Sequence, residues 1–493
     1  MVVDLTAKVT PKHDNRLAFL AVMIALASMT HMISFQWWTD RLTGQILLGS
    51  TLFLFFVPRS VTALSFFLLT SIAHWFSLLP TVPNHVFFEM LVHMTLLTGI
   101  LVTFLEQRCS STTAVRESSD YSFCTRVFDL CRPYIIIELI ILYLFTVIHK
   151  LNYDFFNPEV SCAVSMHHDV AALFPGIPEG PWTWWPTIIG TIVIELTLPL
   201  LFISRRTRSA GILIGIAFHF FLALHPHGGI YSFTGLLLTL YYLLLPDQSA
   251  KWLLLIWGKL SLTRVTILKA LIAGGFGLTV FLQTNAGRRG VSFEELNGIG
   301  FTFWLPVASA VAIFYISAVF LGSRVKDLSP EADAKVAIIQ HGRFTRLLWV
   351  FPLLVFLNGS CPYLGLKTTT AFAMFSNLRT EGGQSNHFFL RNYALFQYQD
   401  DLVEVLNSND YRFYELVVSG DLLPWFEFRR MVYSADNPNL QVTYLRNGKW
   451  NVLNGSDGSA QSDHAMEPHS WLVAKFLHFR SISGFEQPMK CCW

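Results

Sequence analysis

Long apolar runs separated by short polar turns leave this chain few ways to fold. They are Leu17–Trp38, Gly44–Val57, Val61–Leu79, Val86–Leu105, Tyr134–Ile148, Pro186–Ser204, Gly211–Leu224, Ile230–Leu245, Val265–Leu282, Phe301–Leu321 and Leu347–Leu357. Most approach the ~20 residues that cross a bilayer, and buried backbone polar groups force such runs into helices. Gly44–Val57 and Leu347–Leu357 are short, so the expected number of spans is about nine to eleven. Of 493 residues, 53% are hydrophobic and only 14% charged. Soluble domains carry about a quarter charged residues. The expected fold is therefore a membrane all-α bundle. Leu17–Trp38 lacks a small-residue exit and reads as a true helix, not a cleaved signal. Lys251–Lys259 is amphipathic and reads as a surface segment.

Basic residues orient the bundle. Lys8, Lys12, Arg16, Arg59, Arg108, Arg116, Arg126, Arg132, the turn Arg205-Arg206-Thr207-Arg208, Lys251, Lys259, Arg264, Arg324, Lys326, Lys335, Arg343 and Arg346 fall on one side if the runs alternate. That side is expected to be cytoplasmic, beginning with residues 1–16. The opposite, periplasmic or lumenal side receives His85, Lys150, His167-His168, His225, His227, the segment Thr284–Gly300 and everything after Ser360. Arg41 and Arg288-Arg289 run against this scheme.

After the helical part, residues 17–360, the composition turns polar. Gln441–Leu445 and Lys449–Leu453 alternate around Asn447-Gly448, the signature of a hairpin. Arg412–Val418 and Trp425–Tyr433 read as further strands. Residues 361–493 are thus expected to form a small β-rich extracytoplasmic domain. Cys162 and Cys361 would both lie outside, where disulfides persist, and are a candidate pair. No zinc-type cysteine spacing occurs, so no metal is expected. No basic stripe suggests nucleic acid. Asn358-Gly359-Ser360 and Asn454-Gly455-Ser456 are glycosylation sequons on the outer side.

Four places carry candidate chemistry. Lys150 ends an apolar run, where an ammonium loses hydration and can serve as a base; it could also only anchor the helix at the interface. Glu195 and His219 lie deep in apolar runs at similar distances from the Arg205–Arg208 turn. Ionisable groups there face a partner or a cavity: they could brace each other, or His219 could line a pocket facing Lys150. Asn84 could be a helix cap, with His85 an acid/base group beside it. The polar stretch Gly365–His387 crowds Arg379, Glu381, Asn386 and His387 around Gly382-Gly383, either as a lid or head-group site or as a surface loop with an Arg379–Glu381 contact.

The segment His149-Lys150-Leu151-Asn152-Tyr153-Asp154-Phe155, Asn84-His85 before an apolar run, and Phe218-His219 followed by Tyr231-Ser232-Phe233 together resemble the HTTM group, which includes vitamin K-dependent gamma-carboxylases. The likeness covers about residues 15–300. It implies Lys150 as the base that deprotonates vitamin K hydroquinone or another quinol, with His219 supporting the quinone site; His85 is carried beside them as a further candidate orienting or proton-handling group. Asn84, Glu195, Arg379, Glu381, Asn386 and His387 are candidate substrate-binding residues, and membrane lipid, a lipid-soluble quinol and a protein or peptide substrate are the implied partners. In the animal enzyme a lysine precedes the base, where this chain has His149, and the outer domain here is much shorter. Two functions are therefore carried forward. One is an integral-membrane carboxylase-like enzyme acting at the outer boundary. The other is a non-catalytic membrane receptor or lipid-binding protein whose β-rich domain contacts a partner.

Overall fold

A computed structural model describes residues 15–39, 41–109, 123–225, 227–322, 344–393, 395–435, 437–454 and 467–491. Lys8, Lys12, Arg116, Arg324, Lys326, Lys335, Arg343, Cys492 and the second sequon's Gly455-Ser456 lie outside them. The described chain runs α1 (Arg16–Phe35), α2 (Leu42–Phe56), α3 (Val61–Leu78), α4 (Asn84–Cys109), α5 (Phe123–Lys150), α6 (Cys162–Leu173), α7 (Pro181–Ile203), α8 (Arg208–Leu222), α9 (Gly228–Leu244), α10 (Asp247–Lys259), α11 (Leu262–Arg288), α12 (Phe293–Gly322) and α13 (Val350–Leu364). Then come β1 (Leu402–Ser408), α14 (Tyr411–Ser419), β2 (Leu422–Pro424), α15 (Trp425–Tyr433), β3 (Gln441–Arg446), β4 (Lys449–Asn454) and α16 (Trp471–Phe476).

Among the described residues, eight helices are long and apolar enough to cross a membrane, or nine if α9 and α10, bent by 110°, form one broken span. The expectation reached higher because α2 and α8 have 15 residues each, short of the ~20 a span needs. The last run is longer than read: a 3₁₀ turn at Thr345–Trp349 leads into α13, which continues through Pro362. The segment Thr284–Gly300 is largely helical, shared by the end of α11 and the start of α12.

The chain divides into two compact units. The first comprises residues 1–77, 88–141 and 197–354. Within it α1 packs on α2, α9, α11 and α12. Small and short polar residues let these helices approach: Thr239 of α9 donates to the Met23 carbonyl of α1 at 2.9 Å. Such contacts suit helices in lipid, where apolar surface gives no drive to associate.

The second unit comprises residues 78–87, 142–196 and 355–493. Its antiparallel sheet has the order β2-β1-β3-β4. The β3–β4 hairpin turns at Asn447-Gly448, both with positive φ (51° and 72°), as a two-residue primed turn requires. Two expected strands are instead helices. Asp410 caps α14 by accepting from the Arg412 N–H at 3.0 Å, and Gly420 closes it in the left-handed region. Buried Phe413 and Leu416 stand three apart, a helical spacing. The segment read as Trp425–Tyr433 is α15, which buries Phe426, Phe428 and Val432. Val403, Val442 and Tyr444 of the sheet share one core with Phe413 and Phe428.

The expected Cys162–Cys361 bridge is not formed. Cys162 is joined to Cys491, 329 residues away, and Cys361 is a buried free thiol. Cys361 sits within α13 and its Sγ faces the Leu357 carbonyl of its own helix. Asn358 is likewise inside α13, buried, with its amide donating to the Thr370 carbonyl at 2.9 Å. It is therefore no glycan acceptor in the folded chain.

Candidate active site

Lys150 is the last residue of α5 and is 6% exposed. Its Nζ donates to Glu195 Oε2 at 2.8 Å, to Glu195 Oε1 at 3.1 Å and to the Thr146 carbonyl at 3.3 Å. Glu195 comes from α7 and is also buried. Three acceptors thus match the three protons of an ammonium. The amine does not snorkel outward; it is held as a compact ion pair between two apolar helices. A buried pair of this kind can exist as ammonium and carboxylate or, after one proton shift, as amine and carboxylic acid.

The residues around Lys150 hold a second feature. His149 is fully buried, and its Nε2 donates to the Ala371 carbonyl at 3.2 Å while Nδ1 faces the Tyr363 hydroxyl at 3.0 Å. Asn152 donates to the Ser376 carbonyl at 2.6 Å. Asn84 is the first residue of α4, and its Oδ1 accepts from the Phe372 N–H at 2.6 Å. Asn377 Oδ1 accepts from the Cys162 N–H at 2.8 Å. Apart from the Tyr363 contact, these bonds grip the segment from Thr370 to Asn377. Within it four non-glycine residues, Thr370, Phe372, Phe375 and Asn377, have positive φ between 52° and 64°. Left-handed backbone costs roughly 1–2 kcal/mol per such residue, and persists where surroundings over-determine it.

Gly365–His387 is therefore not an ordinary surface loop, since most of it is buried. Thr370, Ala371, Phe372, Ser376, Asn377, Leu378 and Glu381 are all buried. Arg379 and Glu381 do not pair with each other. Glu381 is 0% exposed and bonds Arg480 at 3.3 Å, while Arg379 donates to the Gln487 carbonyl at 3.2 Å and stands over the Phe485 ring. Gly382, at φ +69°, is needed because a Cβ there would stand 2.4 Å from the Phe485 ring. Asn386 donates to Asp154 at 2.6 Å and to the Asn377 carbonyl at 2.7 Å. His387 Nδ1 accepts from the N–H groups of Phe389 and Leu390, so Nε2 carries the proton donated to the Ile148 carbonyl at 2.8 Å. Burial lowers the His387 pKa, partly opposed by that last bond. These four candidates bind the chain's own backbone and side chains rather than present free groups.

His85 is buried in the first turn of α4. His219 belongs to the first unit, whereas Lys150 and Glu195 belong to the second. Its ring packs on Phe218 and Phe233, and its carbonyl accepts from Thr234 Oγ1 at 3.1 Å.

The first unit holds a further buried ionisable cluster, between α1 and α4. Glu89 of α4 meets His31 of α1 at 2.5 Å and His93 of its own helix at 3.5 Å. His31 also touches Ser232 Oγ at 2.5 Å, and His93 touches Ser71 Oγ at 2.9 Å. All five side chains are buried. A carboxylate between two imidazoles can hold and pass one proton. The spacing of four between Glu89 and His93 was the available signal; the α1 partner left none.

No family profile, curated protein or solved structure matches the chain.

Proposed function

We propose that this chain is an integral-membrane enzyme that removes a proton from a lipid-soluble, hydroxyl-bearing substrate, with Lys150 and Glu195 as its proton-handling pair. The observation that carries this reading is the buried Lys150–Glu195 contact at the end of an apolar helix. In the resting pair the amine has no lone pair to offer. Transfer of one ammonium proton to Glu195 gives a neutral amine and a carboxylic acid with no change in net charge. The amine then takes the substrate's hydroxyl proton, leaving an ammonium beside the substrate oxyanion it has created. Glu195 is thus the group that sets the base free, and low-dielectric surroundings strengthen each of these contacts.

The likeness of His149–Phe155 to the HTTM group supports a quinol as the substrate. The amine and carboxyl suit its phenolic hydroxyl. In the carboxylases resembled, a bound hydroquinone supplies the reducing power for an oxygenation that drives removal of a glutamate γ-proton; carboxylation by this chain is the finer proposal. The full set of bonds to Lys150 favours a second reading, in which the pair only bolts α5 to α7 of a receptor or lipid-binding protein.

The test is hydroquinone-dependent epoxide formation by the full chain in lipid nanodiscs. Wild type turns over, and Lys150→Arg, which keeps a cation but cannot act as a base, loses at least about 100-fold in rate. Retained turnover in Lys150→Arg removes Lys150 as the base. Absence of turnover in wild type with any quinol leaves the second reading.

A further inference from the structure

Lys367 is a second buried amine, and its surroundings differ from those of Lys150. It is 5% exposed. Its Nζ donates to Thr370 Oγ1 at 3.1 Å and lies 4.5 Å from the centre of the Phe87 ring. Among the described residues no carboxylate pairs with it. Lys150 has Glu195, and Arg480 has Glu381; Lys367 has a hydroxyl and an aromatic face. One N–H is used, and two remain. A buried cation without a counter-charge is costly.

A second group close by shares the deficit. The carbonyl of His478 accepts from the N–H groups of both Thr368 and Thr369, at 3.2 and 3.1 Å, which brings it against the Lys367 segment. Its Nδ1 is buried and meets no hydrogen-bond partner among the described residues. Its Nε2 faces Glu427 at 3.6 Å. Burial lowers Lys367 to about 8, and burial together with the cations Arg430 and Lys367 lowers His478 to about 4. The other titratable neighbour of Lys367 is the Cys361 thiol.

We propose that Lys367 is the anchor of a carboxylate-binding site, with the Phe87 ring and Thr370 beside it. A carboxylate offers two oxygens to the two unused N–H bonds and supplies the missing charge. The site does not depend on Lys150 acting as a base. Lys367 follows the end of α13 by three residues, and Phe87 lies in the first turn of α4; a water-soluble acid and a membrane acid carry the same carboxylate, and the experiment separates them.

The experiment is thermal unfolding of the full chain in nanodiscs with sodium acetate, sodium oleate or sodium chloride at matched ionic strength. A carboxylate that binds the native state raises Tm. A rise with acetate identifies a water-soluble acid; a rise with oleate alone identifies a membrane acid. In Lys367→Met the carboxylate affinity read from these shifts falls at least about tenfold, while Lys367→Arg keeps it. Should Lys367→Met fail to fold, wild type alone decides: the shift fades from about pH 7 to about pH 10 as the amine loses its charge. No carboxylate-specific shift in wild type, an equal shift in Lys367→Met, or a shift unchanged across that pH range overturns the proposal.

Discussion

The two buried lysines show how one residue type takes opposite roles from its neighbours. Lys150 is matched bond for bond by Glu195 and Thr146. Removing one partner leaves an uncompensated charge: Glu195→Leu is expected to cost about 3–5 kcal/mol, while Lys150→Met with Glu195→Leu is close to neutral. Denaturant unfolding of single and double variants checks this, and equal losses in both would deny the pairing. The double variant should also be inactive in epoxide formation if the pair is catalytic, which separates stability from chemistry. Lys367 has no such carboxylate partner among the described residues. Its folded pKa of about 8 lies below the usual lysine value, so between about pH 8 and about pH 10.5 the unfolded chain binds more protons than the native one. Its cost is full below the folded value and disappears above the unfolded one. Wild-type Tm should therefore rise with pH across that window relative to Lys367→Met. A parallel pH profile in the two proteins would count against burial of a charged amine. Sequence singled out Lys150 and Glu195 separately, because an ionisable residue in an apolar run is conspicuous. It could not join them, since the contact links α5 to α7. Glu89 and His93 were legible as a one-helix pair; His31 was not, because only packing brings α1 to them.

Among the elements, the segment from Thr370 to Asn377 is the one whose shape local sequence could not foretell. Thr and Phe disfavour left-handed backbone, and its polar flanks read as solvent-facing. The bonds from Asn84, His149, Asn152 and Asn358 that hold it all come from elsewhere in the chain. Asn152→Ala is expected to cost about 1–3 kcal/mol, since it strands the Ser376 carbonyl in a buried place. Hydrogen exchange should then quicken across 370–378 and leave the sheet unchanged; uniform exchange over the whole unit would contradict a local role. The same limit explains α14 and α15, where apolar residues admit either an alternating or a helical pattern. For α14 the Asp410 cap and Gly420 close decide for helix. The β3–β4 hairpin was readable because Asn447-Gly448 fixes its turn without help from distant residues.

At the scale of the molecule, helices long and apolar enough to span a bilayer were evident from composition and run length, whereas the covalent link was not. Burial of Cys361 within α13 removed it from pairing, and the partner of Cys162 proved to be Cys491. Peptide mapping without reductant should recover residues 162 and 491 together, with Cys361 alkylated only after unfolding. Cys162→Ser should lower stability by about 2–5 kcal/mol; no change in Tm would show the link to be dispensable. Resemblance residues also prove to have structural duties: Asn84 and Asn152 hold the strained segment directly. Their presence in a sequence therefore speaks for the scaffold as well as for any reaction.

Supports for that segment arrive from residue 84 at one end and from Met489 at the other, whose carbonyl accepts from Asn377 at 2.9 Å. During synthesis the first of these is in place hundreds of residues before the last. The knot of backbone next to Lys150 can therefore be tied only when the tail has been delivered, and a chain halted short of it would carry its helices without the keystone that sets His149 and Asn152 in position.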